Sequence, residues 1–81
     1  MTSVAQPSVA DCVRANLQTY LDDLDGGVAN NMYAMVISVV EKPLLEVVMQ
    51  HVGHNQSKAS QCLGINRNTL RKKLLEHGLI E

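Results

Sequence analysis

Eighty-one residues fit one domain, and a chain this short rarely buries enough apolar surface alone, so disulfides, a metal, a partner subunit or dense helix packing must add stability. The two cysteines, Cys12 and Cys62, are far apart and form no CxxC pattern, which argues against a disulfide framework and fits a reducing, cytoplasmic compartment. The net charge of −1 conceals a division: residues 1–54 hold Arg14 and Lys42 against six carboxylates, whereas residues 55–81 hold five cations against Glu76 and Glu81.

Aromatic side chains are limited to Tyr20 and Tyr33, which disfavours the stacking platforms of single-stranded nucleic-acid binders. The longest unbroken apolar run covers residues 32–37, far short of the roughly 18 needed to cross a membrane. No basic stretch followed by an apolar segment opens the chain, and Met1 reads as the start of a complete protein.

Residues 1–8 are polar and aperiodic, and a mobile N-terminus is expected there. Ser8 stands three residues before Asp11, a capping-box-like pair, and Val13, Leu17, Tyr20, Leu21 and Leu24 follow at helical spacing. A first helix is expected over residues 9–24, ended by Asp25-Gly26-Gly27 because glycine accepts the left-handed backbone of a helix C-terminus.

Residues 28–52 predict a second helix. Met32, Tyr33, Met35, Val36, Val39, Val40, Leu44, Val47, Val48 and Val52 leave no wide polar face, so the helix needs cover on most sides. The rest of so small a chain cannot supply it, and a second copy of the same helix is the natural cover. Pro43 removes one backbone hydrogen bond, which predicts a kink near residues 41–43.

Gly53 closes that helix, and His54 or Asn55 can cap a third over residues 56–63, with Ala59, Cys62 and Leu63 on its inner side, where a thiol packs as a small hydrophobe. Gly64 and Ile65 turn the chain, Asn66 caps a fourth helix from Arg67 to about His77, and Gly78 ends it so that Leu79 and Ile80 can fold back. The result is an all-α chain of four helices, with residues 9–52 for dimerisation and residues 53–81 as a helix-turn-helix.

A helix-turn-helix needs a small residue where its helices cross, a glycine to turn and an apolar anchor in each helix; Ser60, Gly64, Leu63 and Leu70 fill these places. With Leu70 and Leu74 inward, about 100° per residue turns Asn68, Thr69 and Lys72 outward, flanked by Arg71 and Lys73. That face is basic and rich in hydrogen-bond donors, as a surface laid in the major groove of double-stranded DNA must be.

Other chemistries find little. His51 and His54 are spaced as metal ligands but lack a completing cysteine or carboxylate, so no metal or cofactor is expected. Asp22, Asp23 and Asp25 lack the spacing and closing glutamate of a calcium loop, and no catalytic constellation or phosphate loop appears, so neither an enzyme nor a small-molecule substrate is expected.

The stretches Glu-Lys-Pro-Leu-Leu-Glu-Val-Val-Met-Gln at 41–50 and Leu-Gly-Ile-Asn-Arg-Asn-Thr-Leu-Arg-Lys-Lys-Leu at 63–74 resemble the Fis family, the factor for inversion stimulation, over about residues 9–79. The second stretch is shared with the C-terminal domains of nitrogen-regulator-type activators, so the first stretch and the length point to Fis. On the residues alone, a detached activator domain and a helical adaptor that binds no nucleic acid stay open beside it.

The resemblance implies an intertwined homodimer with a helix-turn-helix at each end, a bacterial nucleoid protein that regulates transcription and bends DNA to meet two closely spaced recognition helices, with shape readout at an A·T-rich centre. The interface is expected to include Leu17, Tyr20, Met32, Val36, Val40, Leu44 and Val48. Arg67 resembles the family's guanine reader and Asn66 its base-and-backbone contact. Asn55, Ser57, Thr69, Arg71, Lys72 and Lys73 match its phosphate and positioning set, with Lys58 and Asn68 beside them.

The sequence departs from the family at Asn68, where glycine is familiar, and at Leu75-Glu76, where more positive charge is familiar. Gly53-His54 stands where some relatives carry an Arg-Gly pair that touches RNA polymerase, a candidate further partner. Relatives that stimulate site-specific invertases use a β-hairpin arm before the first helix. Residues 1–8 give one strand's reach at about 3.3 Å per residue, and binding without invertase stimulation is expected.

Overall fold

The computed structural model describes residues 8–24 and 26–81, and these form an all-α chain of four helices: α1 (Val9–Asp23), α2 (Met32–His51), α3 (Gln56–Leu63) and α4 (Arg67–Glu76). The expected mobile N-terminus lies, Ser8 apart, outside the described residues. The chain divides into two units, Met1–Met32 and Tyr33–Glu81.

In the first unit Ser8 caps α1 from an extended conformation, its hydroxyl accepting the Asp11 amide at 3.1 Å. The reciprocal half of a capping box is replaced by an exposed ion pair, Arg14 Nη1 to Asp11 Oδ1 at 2.8 Å. Val13, Leu17 and Leu24 are half-buried, Tyr20 and Leu21 are exposed, and no residue of α1 is buried. Beyond the helix, the Gly27 amide bonds the Leu24 carbonyl at 2.9 Å and Gly26 takes φ +88°, the conformation that only glycine adopts without strain.

The second helix starts four residues later than its apolar pattern predicts, at Met32 and not at Val28. Asn31 has φ 57°, and a left-handed residue cannot continue a right-handed helix; asparagine tolerates that region better than most side chains. The pair Asn30-Asn31 carried this signal. From there α2 runs unbroken through Pro43 to His51, with buried Leu45 and Met49 packing it beyond the missing amide.

The core of the second unit is Leu45 and Met49 of α2, Ala59 of α3, and Leu70 and Leu74 of α4. Val48, Val52, Leu63, Ile65, Leu79 and Ile80 pack around it. The tail folds back as the sequence predicts: α4 stops at Glu76, Gly78 takes φ +69°, and the Leu79 amide bonds the Leu74 carbonyl at 2.8 Å. Cys62 is the exception on α3. It is exposed, and Ser60 takes the inner place; Cys12 is exposed too, so neither thiol packs as a buried hydrophobe within the chain.

Candidate nucleic-acid interface

Two capped helices and one left-handed glycine build the motif. Asn55 caps α3, its Oδ1 accepting the Lys58 amide at 3.1 Å, and leaves Ser57 and Lys58 exposed on the first turn. Ala59 and Ser60 face inward where α4 crosses, and the Ser60 hydroxyl is satisfied by donating to the Ser57 carbonyl at 2.8 Å. A larger side chain at either place would separate the helices.

Gly64 ends α3 at φ +74° and ψ 30°, and its amide and that of Ile65 both reach the Ser60 carbonyl, at 2.9 and 3.1 Å. Any L side chain at this φ is strained even though an added Cβ would meet nothing within 4 Å. Asn66 then caps α4, its Oδ1 accepting the Asn68 amide at 2.7 Å, and its side-chain amide group is left to donate.

On α4 the division of faces is sharp. Leu70 and Leu74 are fully buried, while Arg67, Asn68, Thr69, Arg71 and Lys72 are exposed, three of them cationic and two able to donate and accept hydrogen bonds. The helix starts at Arg67, so the residue expected to read a base stands in the first turn.

Lys73 is placed apart from this group. Its Nζ lies 2.8 Å from Glu41 Oε2 of α2, and His77 Nε2 lies 2.8 Å from Glu41 Oε1, so one carboxylate holds both side chains. The Lys73 ammonium, hydrogen-bonded to it, and then His77 hold the Glu41 carboxyl below its ordinary value despite partial burial, and Glu41 in turn raises Lys73. Tyr33, Ile37 and Glu76 join the three in lining a shallow groove of about 320 Å³. Helical spacing places Lys73 beside Lys72 but does not reveal this partner 32 residues away.

The residues expected in a dimer interface do not behave alike. Val40 and Leu44 are exposed, Met32 and Val36 are half-buried, and Val48 is half-buried against the core of its own chain. In α1, Leu17 is half-buried and Tyr20 exposed. Tyr33, Ile37 and Val47, absent from the expected set, extend Val40 and Leu44 into an exposed stripe whose members are spaced alternately four and three residues apart. Their wheel position was legible from the sequence.

Residues 36–77 match the bacterial regulatory proteins of the Fis family. The chain is 55% identical over 74 residues to a protein of Neisseria meningitidis serogroup B named Fis-like DNA-binding protein, covering 91% of this chain and 94% of that one. It is 56% identical over 69 residues to a protein of the same name in Ralstonia nicotianae, with 85% and 90% covered. To the DNA-binding protein Fis of Aliivibrio fischeri it is 46% identical over 76 residues, with 94% and 78% covered. The chain belongs to the Fis family.

Two departures from the Fis pattern gain a structural meaning. Asn68 sits inside α4 with its amide bonded to the cap, a place that a side chain fills as readily as glycine does. His54 is the opposite case: it follows Gly53 (φ +64°) with φ 65°, where a glycine would be unstrained, and its amide bonds the Met49 carbonyl at 2.8 Å.

Among the described residues no group of three or more His, Cys, Asp or Glu side chains could hold a metal ion, and no helix is long and apolar enough to cross a membrane.

Proposed function

We propose that the protein binds double-stranded DNA as a homodimer, seats α4 of each subunit in the major groove, bends the duplex to engage both, and regulates transcription within the bacterial nucleoid. The observation that carries this is the exposed surface of α4, where Asn68, Thr69 and Lys72 turn away from the buried Leu70 and Leu74, Arg71 stands at their edge and Arg67 is exposed at the start of the helix. The names of the relatives, which say that those proteins bind DNA, support the same reading.

Arg67 takes the base-reading role, because a guanidinium in the first turn can bond O6 and N7 of a guanine together. Asn66 adds its side-chain amide at the helix start. Thr69, Arg71 and Lys72 on α4, with Asn55, Ser57 and Lys58 at the start of α3, contact phosphates on either side and fix the register. The apolar stripe of α2 buries itself against a second copy, and residues 9–52 serve this assembly while residues 53–81 serve DNA.

Fluorescence anisotropy with a labelled mixed-sequence duplex tests the core of the reading. Binding that weakens steeply as salt rises is expected, since each neutralised phosphate releases counterions. No binding at low salt by the folded protein would overturn it.

A further inference from the structure

Glu41 joins the helix of the apolar stripe to the helix of the basic face. Its side chain is 18% exposed, His77 is 10% exposed and Lys73 33% exposed, so the group is largely shielded from water. Lys73 and His77 are one turn apart on α4, and the two oxygens of one carboxylate span them. Among the described residues the Lys73–Glu41 pair is the one side-chain ion pair between lysine or arginine and a carboxylate that links separate helices, and the His77 hydrogen bond shares its carboxylate.

The other contact between α2 and α4 is apolar, through Leu45, Met49, Leu70 and Leu74. Apolar packing holds the two helices together but is non-directional, so it carries no bond that singles out one angular setting. Two hydrogen bonds to a single carboxylate do single one out, because their strength falls steeply with misalignment.

We propose that Glu41 is a positioning residue for DNA reading, one that sets the rotation of α4 on α2 through Lys73 and His77 and keeps Lys73 out of the phosphate-contacting set. This rests on the DNA-binding reading above. A lysine already paired with a carboxylate brings no net charge to a phosphate, so it contributes nothing to counterion release unless the pair first breaks. The count of five cations in residues 55–81 therefore overstates the charge offered to DNA.

The test compares full-length wild type with Lys73→Gln, Lys73→Arg, Glu41→Gln, the double variant and Lys72→Gln. Each is measured on a duplex selected by the wild type from a random pool and on mixed-sequence duplex, across a salt series. Lys72→Gln should flatten the salt slope by about 0.9 per subunit, the loss of one phosphate contact, and Lys73→Gln should leave it unchanged. Glu41→Gln and Lys73→Gln should each lower the ratio of selected to mixed binding several-fold. The double variant should lose no more than either single one, and Lys73→Arg should retain the ratio.

A Lys73→Gln slope as flat as that of Lys72→Gln would overturn the proposal, as would a Glu41→Gln variant with an unaltered ratio. Absence of duplex binding by the wild type would instead remove the DNA-binding reading itself. Circular dichroism and urea midpoints identify any variant that has simply unfolded, and for such a variant Lys73→Arg and Lys73→Gln, conservative changes at a partly exposed site, decide the question.

Discussion

Leu44→Glu is the substitution that tests the proposed dimer most directly, because Leu44 lies outside the core of its own chain and is 49% exposed. Fully burying a leucine stabilises by about 1.5–3 kcal/mol, so covering the exposed half contributes about 1 kcal/mol per copy. A two-fold interface counts every side chain twice, and Leu44→Ala should cost about 2 kcal/mol of association, about 30-fold in Kd. Glutamate adds the penalty of bringing an unpaired carboxylate against apolar surface, a further ~2 kcal/mol or more per copy. The total reaches about 6 kcal/mol, or roughly four decades in Kd. Sedimentation velocity over nanomolar to micromolar concentrations reads the shift, with Leu44→Ala as the graded control. A Leu44→Glu protein that stays dimeric throughout would refute the assignment of this face. Val48→Asp tests something different: Val48 packs against the core of its own chain, so that variant should lose the fold together with any assembly.

Arg67→Ala should lower discrimination between selected and mixed duplex by about 1–3 kcal/mol per half-site, whereas Lys72→Ala should weaken all duplexes alike; the opposite pattern in a binding series would reverse the two roles. Gly64→Ala should cost about 1–2 kcal/mol in urea unfolding, because φ +74° strains any L side chain although nothing crowds the new methyl, and Gly64→Asn should cost less. Because Glu41 titrates below its ordinary 4.5 in the folded chain, its contribution should be intact above that value and vanish as pH falls through the depressed one. The stability difference between wild type and Glu41→Gln should thus disappear at the acid end; a difference that persists once Glu41 is protonated would contradict the pairing. Lys73 runs the other way, its contribution present below 10.5 and lost only as pH rises through its raised value.

The helices and the turn were legible because local chemistry alone decides them. Ser8, Asn55 and Asn66 are caps wherever they precede a periodic apolar run, and Gly64 and Gly78 end helices by accepting a backbone that other residues resist. The face of α4 followed from the spacing of Leu70 and Leu74. The sequence places the start of α2 too early because Val28 and Ala29 extend the apolar pattern, whereas the polar pair Asn30-Asn31, with Asn31 left-handed, ends the turn just before Met32. Ser60 and Cys62 lie about 200° apart on α3, on either side of Ala59 and Leu63, and the crossing of α4 covers the side of Ser60 and leaves Cys62 exposed. The Glu41 clasp was illegible for a further reason. Nothing local distinguishes Lys73 from Lys72, and the difference arises only when α2 brings a carboxylate to one of them.

What this does to α2 bears on the proposed function more than any one contact. Glu41, Leu45, Val48, Met49 and Val52 occupy one sector of the helix and face the helix-turn-helix of the same chain. Tyr33, Ile37, Val40, Leu44 and Val47 occupy the adjoining sector and remain exposed. In a dimer formed through the second sector, α2 would carry the recognition helix of its own chain and meet its copy along the same short stretch, with no flexible linker between the two tasks. The separation of the two α4 helices would then be a property of a packed helix, fixed by side chains that interdigitate and by the Glu41 clasp. DNA, whose bending by 40–90° over 20–30 base pairs costs about 1–6 kcal/mol, would be the softer partner and would deform to match. Loosening the clasp should therefore reduce the bend as well as the discrimination, and a circular-permutation mobility assay on Glu41→Gln that finds the wild-type bend angle would show that the spacing is set elsewhere.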